Sequence, residues 1–307
     1  MTTMTILGAR TFATTWARAR AGRDAAALML TPRAPNALAG ANERVGCVRV
    51  ISANVNGIRA TVRRGGLDWL AAQEADVLAL QEVRASEQQL AKALDGTEFA
   101  SWRVAHAPAA AAGRAGVAVL SKHPILESAH GLPGFEDDGR WLEAVIEIDG
   151  RRTTIVSAYV HTGEADTPKQ DEKFAFLEAM GDRMAQLVDQ DAVVTGDFNI
   201  CHTTRDLKNW KGNRGKAGFL PEEQKHLTAW FESGWVDVVR HRAGDVDGPY
   251  TWWSWRGKAF DNDSGWRIDY VLDSPSLADR VVGHEIGRAP SYAERWSDHA
   301  AVVVDHR

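Results

Sequence analysis

From about residue 47 onward, short apolar runs bounded by polar clusters alternate with longer stretches whose apolar positions recur every three or four residues. The runs CVRVISA, DVLALQE, GVAVLS, WLEAVIEI and TTIVSAYV are short and β-branched, the signature of buried or half-buried strands. Between them the pattern predicts helices near 67–74 and over Glu87–Leu94. A longer helix is predicted over 169–188, where Phe174, Leu177, Met180, Met184 and Leu187 step along one face. DAVVTGDFN follows it as a strand. The second half repeats the style, with a helix opening at LPEEQ and then VDVVR, YTWWSWR, RIDYVLDS, VVGHEI and SDHAAVVVDHR. No linker separates the halves, so the expectation is one α/β domain over residues 45–307, with two mixed sheets packed face to face beneath outer helices.

Residues 1–44 read differently, being rich in Ala, Arg and Thr, nearly free of acidic groups and without sustained periodicity. They are expected outside the fold, as a disordered extension, a translation start placed too early, or an Arg-rich transit-like peptide.

Composition narrows the function classes. At 44% hydrophobic and 25% charged, the 307 residues are those of an ordinary globular protein. The longest apolar runs, VLAL and AAVVV, fall far short of the roughly 20 residues that cross a bilayer. A net charge of −5 argues against a non-specific polyanion binder, because affinity for phosphates needs clustered Lys and Arg, yet a local basic face fits within it. Cys47 and Cys201 have no CxxC spacing, which points away from a zinc site or a disulfide framework and toward a reducing, cytoplasmic setting. Of twelve tryptophans, Trp210, Trp252, Trp253, Trp255 and Trp266 lie in polar company, where an indole serves a ligand as readily as a core.

Candidate chemistry sits where strands end. ISANVNG carries Asn54 and Asn56, LALQEVR carries Glu82, SAYVHTGE carries Tyr159 and His161, and VVTGDFN carries Asp197 and Asn199. GWRIDY adds Asp269, and RWSDHA adds Asp298 and His299. Each alone is more often a turn or capping residue. Together they form a consistent set of oxygen donors, amides and one imidazole, at the strand ends where α/β proteins gather reaction centres. Asp197 and Asn199 stand two apart, which on an extended strand puts them on one face.

The fragments ANVNGIRA, DVLALQEVR, GVAVLS, GDFNICHTTRDL, GFLPEEQ, SGWVDVVR, DNDSGWRIDYVLDS and WSDHAAV resemble the exonuclease III group of abasic endonucleases, within the endonuclease/exonuclease/phosphatase superfamily. GDFN and SDH are shared across the superfamily; NVNGIRA, FLPEE and GWRID are specific to its DNA-repair branch. The resemblance implies a DNase I-like four-layer α/β sandwich, two packed mixed β-sheets flanked by helices. It implies Glu82 as principal metal ligand, aided by Asn56 and Asp298, with Mg²⁺ as the ion and Mn²⁺ able to substitute; hard oxygen donors suit that choice. Asp197, with Asn199 beside it, would orient or deprotonate the attacking water. His299, oriented by Asp269, would bind the scissile phosphate, with Asn54 and Tyr159 in support. Trp252 and Trp266 would line the pocket for a flipped-out abasic sugar.

The implied substrate is duplex DNA with abasic sites or blocked 3′ ends, bound by a monomer in base excision repair. The loop TTRDLKNWKGNRGK brings Arg205, Lys208, Lys211, Arg214 and Lys216 around Trp210 and is expected to grip the DNA backbone. Arg59, Arg63, Arg64, Arg256, Lys258 and Arg267 are expected to extend that positive rim. The chain departs from relatives at His161 and Thr162, where Pro and Asn or Gln are usual, and at Ala115, where an aromatic is common. Two rival functions are a phosphoesterase acting on inositol phosphates, sphingomyelin or RNA tails, and a nucleic-acid binder that keeps the fold without catalysis.

Overall fold

A computed structural model describes residues 46–307; the 1–44 segment lies outside the described residues. The chain lays down β1 (Val48–Asn54), β2 (Val77–Gln81), β3 (Arg103–Ala107) and β4 (Val117–Ser121) in one sheet. It then crosses to a second sheet for β5 (Ile125–His130), β6 (Trp141–Ile148), β7 (Arg151–Tyr159), β8 (Ala192–Asp197), β9 (Val236–Asp237) and β10 (Asp269–Asp273). It returns to the first with β11 (Val281–Gly287) and β12 (Ala301–His306). The two six-stranded sheets run β11-β12-β1-β2-β4-β3 and β5-β6-β7-β8-β10-β9.

Alternation along the strands divides the apolar residues among three layers of core. Val50, Val77, Val119, Ile146, Ile155, Val193 and Val302 meet between the sheets. Their sequence neighbours Ile51, Leu78, Leu80 and Val303 face outward onto Leu67 and Leu70 of the helix Gly66–Ala72 and Leu90 and Leu94 of the helix Glu87–Leu94. On the far side, Val156, Ala158 and Val194 pack under Phe176, Leu177, Met180 and Met184 of the helix Pro168–Leu187, with Leu227 and Trp230 of the helix Pro221–Glu232. This is the expected four-layer sandwich.

Strand direction explains where the polar strand ends go. Each sheet has a single parallel pair near its centre, β1 with β2 and β7 with β8, and every other pairing is antiparallel. Parallel neighbours deliver their C-terminal ends to the same edge, so Asn54 and Gln81 emerge together, as do Tyr159 and Asp197, which are register partners. The antiparallel β10 begins beside the end of β8, with Asp269 opposite Asp197. β12 begins beside the end of β1, which brings His299 to the same rim.

Several expectations change in detail. The helix expected at 169–188 spans Pro168–Leu187, but its buried face takes Phe176 and Lys173 rather than Phe174. YTWWSWR is not a strand: only Trp252 bridges, to Trp266 and His299, because its neighbours wrap over the sheet end rather than join it. VDVVR gives a two-residue strand and then the helix Val238–Ala243, since Asp237 caps that helix by accepting from the Arg240 amide at 3.0 Å. Among the described residues, no helix is long and apolar enough to cross a membrane.

Candidate active site

The strand ends open into a cavity of about 260 Å³ lined by Glu82, Tyr159, Asp197, Asn199, Asp298 and His299, with Trp252, Trp266 and Ile268 along one side. Asn54 ties its two halves together. Its Nδ2 donates to Glu82 Oε1 at 3.1 Å and to Asp197 Oδ2 at 2.9 Å, one carboxylate from each sheet, while its Oδ1 accepts from the Asn56 amide at 3.0 Å. Donor atoms of Glu82, Asp197 and His299 lie within 4.8 Å of one another.

Three of these residues hold a left-handed backbone: Asn56 (φ 45°), Glu82 (φ 50°) and Asn199 (φ 52°). For Glu82 this costs on the order of 1 kcal/mol, and it turns the carboxylate off the end of the sheet into the cleft. Asn199 recovers part of the cost. Its amide donates to Asp197 Oδ1 at 2.9 Å and its Nδ2 to Val160 O at 2.9 Å.

His299 donates from Nδ1 to Asp269 Oδ2 at 2.9 Å, and its Nε2 stands 3.7 Å from Asp197 Oδ2. Burial would push the imidazole down, but Asp269 and Asp197 outweigh it and hold it up to about 10. A protonated ring therefore faces the cleft. Burial pushes Asp197 up to about 8, opposed by His299 and reinforced by Asp269 and Glu82. Burial also raises the Tyr159 hydroxyl, with Glu82 and Asp197 adding to the rise. Burial acts upward on Asp298 as well, but His299 and hydrogen bonds from Trp252 Nε1 (3.1 Å) and Asn56 Nδ2 (2.7 Å) hold it below the ordinary carboxylate range. Four carboxyl groups thus crowd around one imidazole and the Arg84 guanidinium, and a hard cation would favour their ionised forms.

Glu82 and Asp298 line the same cavity, although the closely grouped donor atoms are those of Glu82, Asp197 and His299. Glu82 and Asp298 offer carboxylate oxygens, and Asn56, having committed its Nδ2 to Asp298, is left with its carbonyl oxygen. One cation is already present: Arg84 pairs with Glu82 Oε2. Arg84 stands two residues after Glu82, the one signal in the sequence that marks it. Two further cations at the site carry no motif signal: Arg140, whose guanidinium lies 4.6 Å over the Tyr159 ring, and Lys173, fully buried and donating to Asn199 O at 2.9 Å.

Trp252 and Trp266 meet edge to face, with centroids 6.0 Å apart, as a half-buried wall of the cleft. In the basic loop, Lys208, Lys211 and Arg214 are exposed and carry no ion pair among the described residues; Lys211 and Arg214 lie over the Trp210 ring at 5.7 and 4.5 Å. Arg205 is instead paired with Asp245 at 2.7 Å. Arg267 does not belong to a positive rim. It is fully buried, stacked 4.6 Å from the Tyr270 ring and bonded to Asp206 Oδ1 (2.7 Å) and Asp237 Oδ2 (2.8 Å), because a planar guanidinium is the cation that two buried carboxylates accommodate. Trp253 is core, with its Nε1 donating to Asp263.

The model of the endonuclease/exonuclease/phosphatase family matches residues 51–299. The chain belongs to this family. Its relatives within the family include an exodeoxyribonuclease of Bacillus subtilis (strain 168), 33% identical, covering 84% of this chain and 98% of the relative. The DNA repair nuclease APEX1 of Danio rerio is 32% identical, covering 92% of this chain and 90% of the relative. Among solved structures, an AP endonuclease from Archaeoglobus fulgidus superposes with a TM-score of 0.70 at 25% identity, covering 84% of this chain and 98% of the other. A 3′ phosphatase from Neisseria bound to a product DNA hairpin does so with a TM-score of 0.70 at 27% identity, covering 85% and 99%. Family membership accounts for the DNase I-like layering of the two sheets and for the resemblance carried by GDFN and SDH.

Proposed function

We propose that this chain is a divalent-metal-dependent phosphodiesterase of DNA repair, which incises duplex DNA beside abasic sites and trims nucleotides or blocking groups from 3′ ends. The observation that carries the reading is the convergence of Glu82, Asp197 and His299, drawn from both sheets, at the floor of a tryptophan-walled cleft. The similarity to proteins named exodeoxyribonuclease, DNA repair nuclease and 3′ phosphatase supports it. The same reading takes the protein as a cytoplasmic monomer acting on abasic or 3′-blocked duplex DNA.

A phosphodiester repels nucleophiles, and attack builds further negative charge on its oxygens. His299, held protonated by Asp269, offers its Nε2–H to a phosphate oxygen. Asp197, fixed by Asn54 and the Asn199 amide, accepts a proton from water placed in line with the leaving oxygen. Tyr159, clamped by Arg140, shapes the wall beside Glu82. Glu82, Asn56 and Asp298 would hold Mg²⁺, or Mn²⁺ in its place. When bound, the ion supplies Lewis-acid stabilisation of charge on the phosphate. Trp252 and Trp266 form a small aromatic wall suited to a sugar without its base, and Arg205, Lys208, Lys211 and Arg214 contact the backbone.

The test is incision of a duplex oligonucleotide carrying one synthetic abasic site. Activity should require Mg²⁺, vanish in EDTA, and fall by roughly 10²–10⁴ in Asp197→Asn or His299→Ala. A protein inert on that duplex but active on a phospholipid head group or an inositol phosphate overturns the reading.

A further inference from the structure

A second group of polar side chains converges outside the cleft, where the end of β7 meets the start of the long helix. His161 lies just beyond β7, Asp138 comes from the loop between β5 and β6, and Glu172 from the early turns of the helix Pro168–Leu187. Their donor atoms lie within 4.8 Å of one another. The imidazole is only 7% exposed and is wedged edge to face against Phe176 (5.2 Å) and beside Phe135 (5.8 Å), so its orientation is set by packing.

Among the described residues the ring has no hydrogen bond of its own. Nδ1 is buried without a partner. Nε2 points between two carboxylate oxygens, 3.5 Å from Asp138 Oδ2 and 3.6 Å from Glu172 Oε1. Those gaps exceed the roughly 2.7–3.2 Å of an N–H···O bond. They match the spacing of about 3.4 Å between ligands arranged tetrahedrally at roughly 2.0–2.2 Å from a first-row ion. Asp138 and Glu172 are 37% and 53% exposed, which leaves an entry path from solvent.

We propose that Asp138, His161 and Glu172 form a second cation site, separate from the oxygen-donor centre in the cleft, that takes a transition-metal ion of the zinc class. One imidazole nitrogen, a borderline donor, beside two hard carboxylate oxygens is a set that zinc, cobalt and manganese accept, whereas Mg²⁺ favours all-oxygen surroundings. The ion would tie together three segments: the loop leading to β6, the stretch after β7 that carries Thr162 into the cleft wall, and the helix whose Lys173 holds Thr162 O at 3.2 Å. The site does not depend on which phosphodiester the cleft hydrolyses.

Co²⁺ alone is the probe, added to the full chain after chelation and dialysis, in a large excess of Mg²⁺ that occupies the cleft. One equivalent of Co²⁺ should bind, followed by calorimetry and by its visible absorption, and Glu82→Gln should leave this binding in place. His161→Gln and Glu172→Gln should each weaken it by ~10-fold or more. Glu172 is a solvent-facing helix position, so its variant keeps the fold even if the buried His161→Gln does not. No Co²⁺ uptake by the wild-type chain under excess Mg²⁺, or equal affinity in Glu172→Gln, overturns the proposal. Uptake lost in Glu82→Gln and kept in Glu172→Gln assigns the ion to the cleft and overturns it equally.

Discussion

Replacing Lys173 tests how the cleft is held in shape. Its Nζ is fully buried, 2.7 Å from Glu223 Oε1, and it also donates to Asn199 O at 2.9 Å and Thr162 O at 3.2 Å. Burial lowers the lysine's tendency to carry charge, and Glu223 opposes that. Lys173→Met leaves Glu223 as a buried carboxylate with only Gln170 and the Leu220 amide as donors. Breaking a buried pair from one side costs about 3–5 kcal/mol, which lowers Tm by roughly 6–20 °C in a domain of this size. Lys173→Met/Glu223→Gln should be more stable than the single variant, because the stranded charge is gone. The loop carrying Asn199 also loses a tether, so incision measured well below Tm should slow by on the order of 10- to 100-fold. Calorimetry on the wild type, both singles and the double completes the cycle. A Lys173→Met variant that loses less than about 1 kcal/mol, or a double variant whose loss equals the sum of the singles, refutes the argument.

Other expectations follow from single contacts. A Cβ on Gly196 (φ 143°) would stand 1.9 Å from Ala158 O in the neighbouring parallel strand, so Gly196→Ala should cost about 3 kcal/mol and displace Asp197; an unchanged urea midpoint would sink this. Burial pushes Asp206 up, but Arg267 and a hydrogen bond from Arg240 hold it down to about 2, against 3.8 ordinarily. That depression supplies roughly 2 kcal/mol above pH 4, which is lost as the pH falls toward 2. The stability gap between wild type and Asp206→Asn should close over that range, and a gap constant with pH would contradict it. Arg84 competes for Glu82 Oε2, so Arg84→Ala should lower the Mg²⁺ concentration giving half-maximal activity by a few-fold; a higher requirement argues that Arg84 helps to bind the ion or substrate.

The layered fold was legible because the central strands are short apolar runs, buried along their whole length, and because Leu177, Met180, Met184 and Leu187 recur at helical spacing along the helix Pro168–Leu187. The edge strands β3 and β5 were not: β5 is almost wholly exposed, and β3 sends only the small side chains of Ala105 and Ala107 into the core, so neither has a strongly apolar face. The polar strand ends identified the candidate site, since carboxylates and amides placed after apolar runs announce a cluster whatever the sheet order. Which of them touch was not legible. That Asn54 joins Glu82 to Asp197 follows from two parallel pairs facing each other, a property of topology. Charged residues were opaque where burial was paired: Arg267 read as part of a positive rim and nothing in the sequence marked Lys173, and only Asp206 and Asp237 for the one and Glu223 for the other, in three dimensions, explain why they are inside. His161 read as a mere departure from relatives, because Asp138 and Glu172 reach it only after folding.

Ser297 Oγ donates to Asn54 O at 2.7 Å across 243 residues of chain. The first strand of the domain and the last therefore close the same rim, and the imidazole arrives with the final segment. A nascent chain on the ribosome, or one clipped before Ser297, carries Glu82, Asp197 and Asp269 yet lacks Asp298 and the His299 imidazole that would donate to a phosphate oxygen. Cutting power is thereby withheld from half-made protein, a safeguard for any cell that must keep an enzyme of this kind beside its own chromosome.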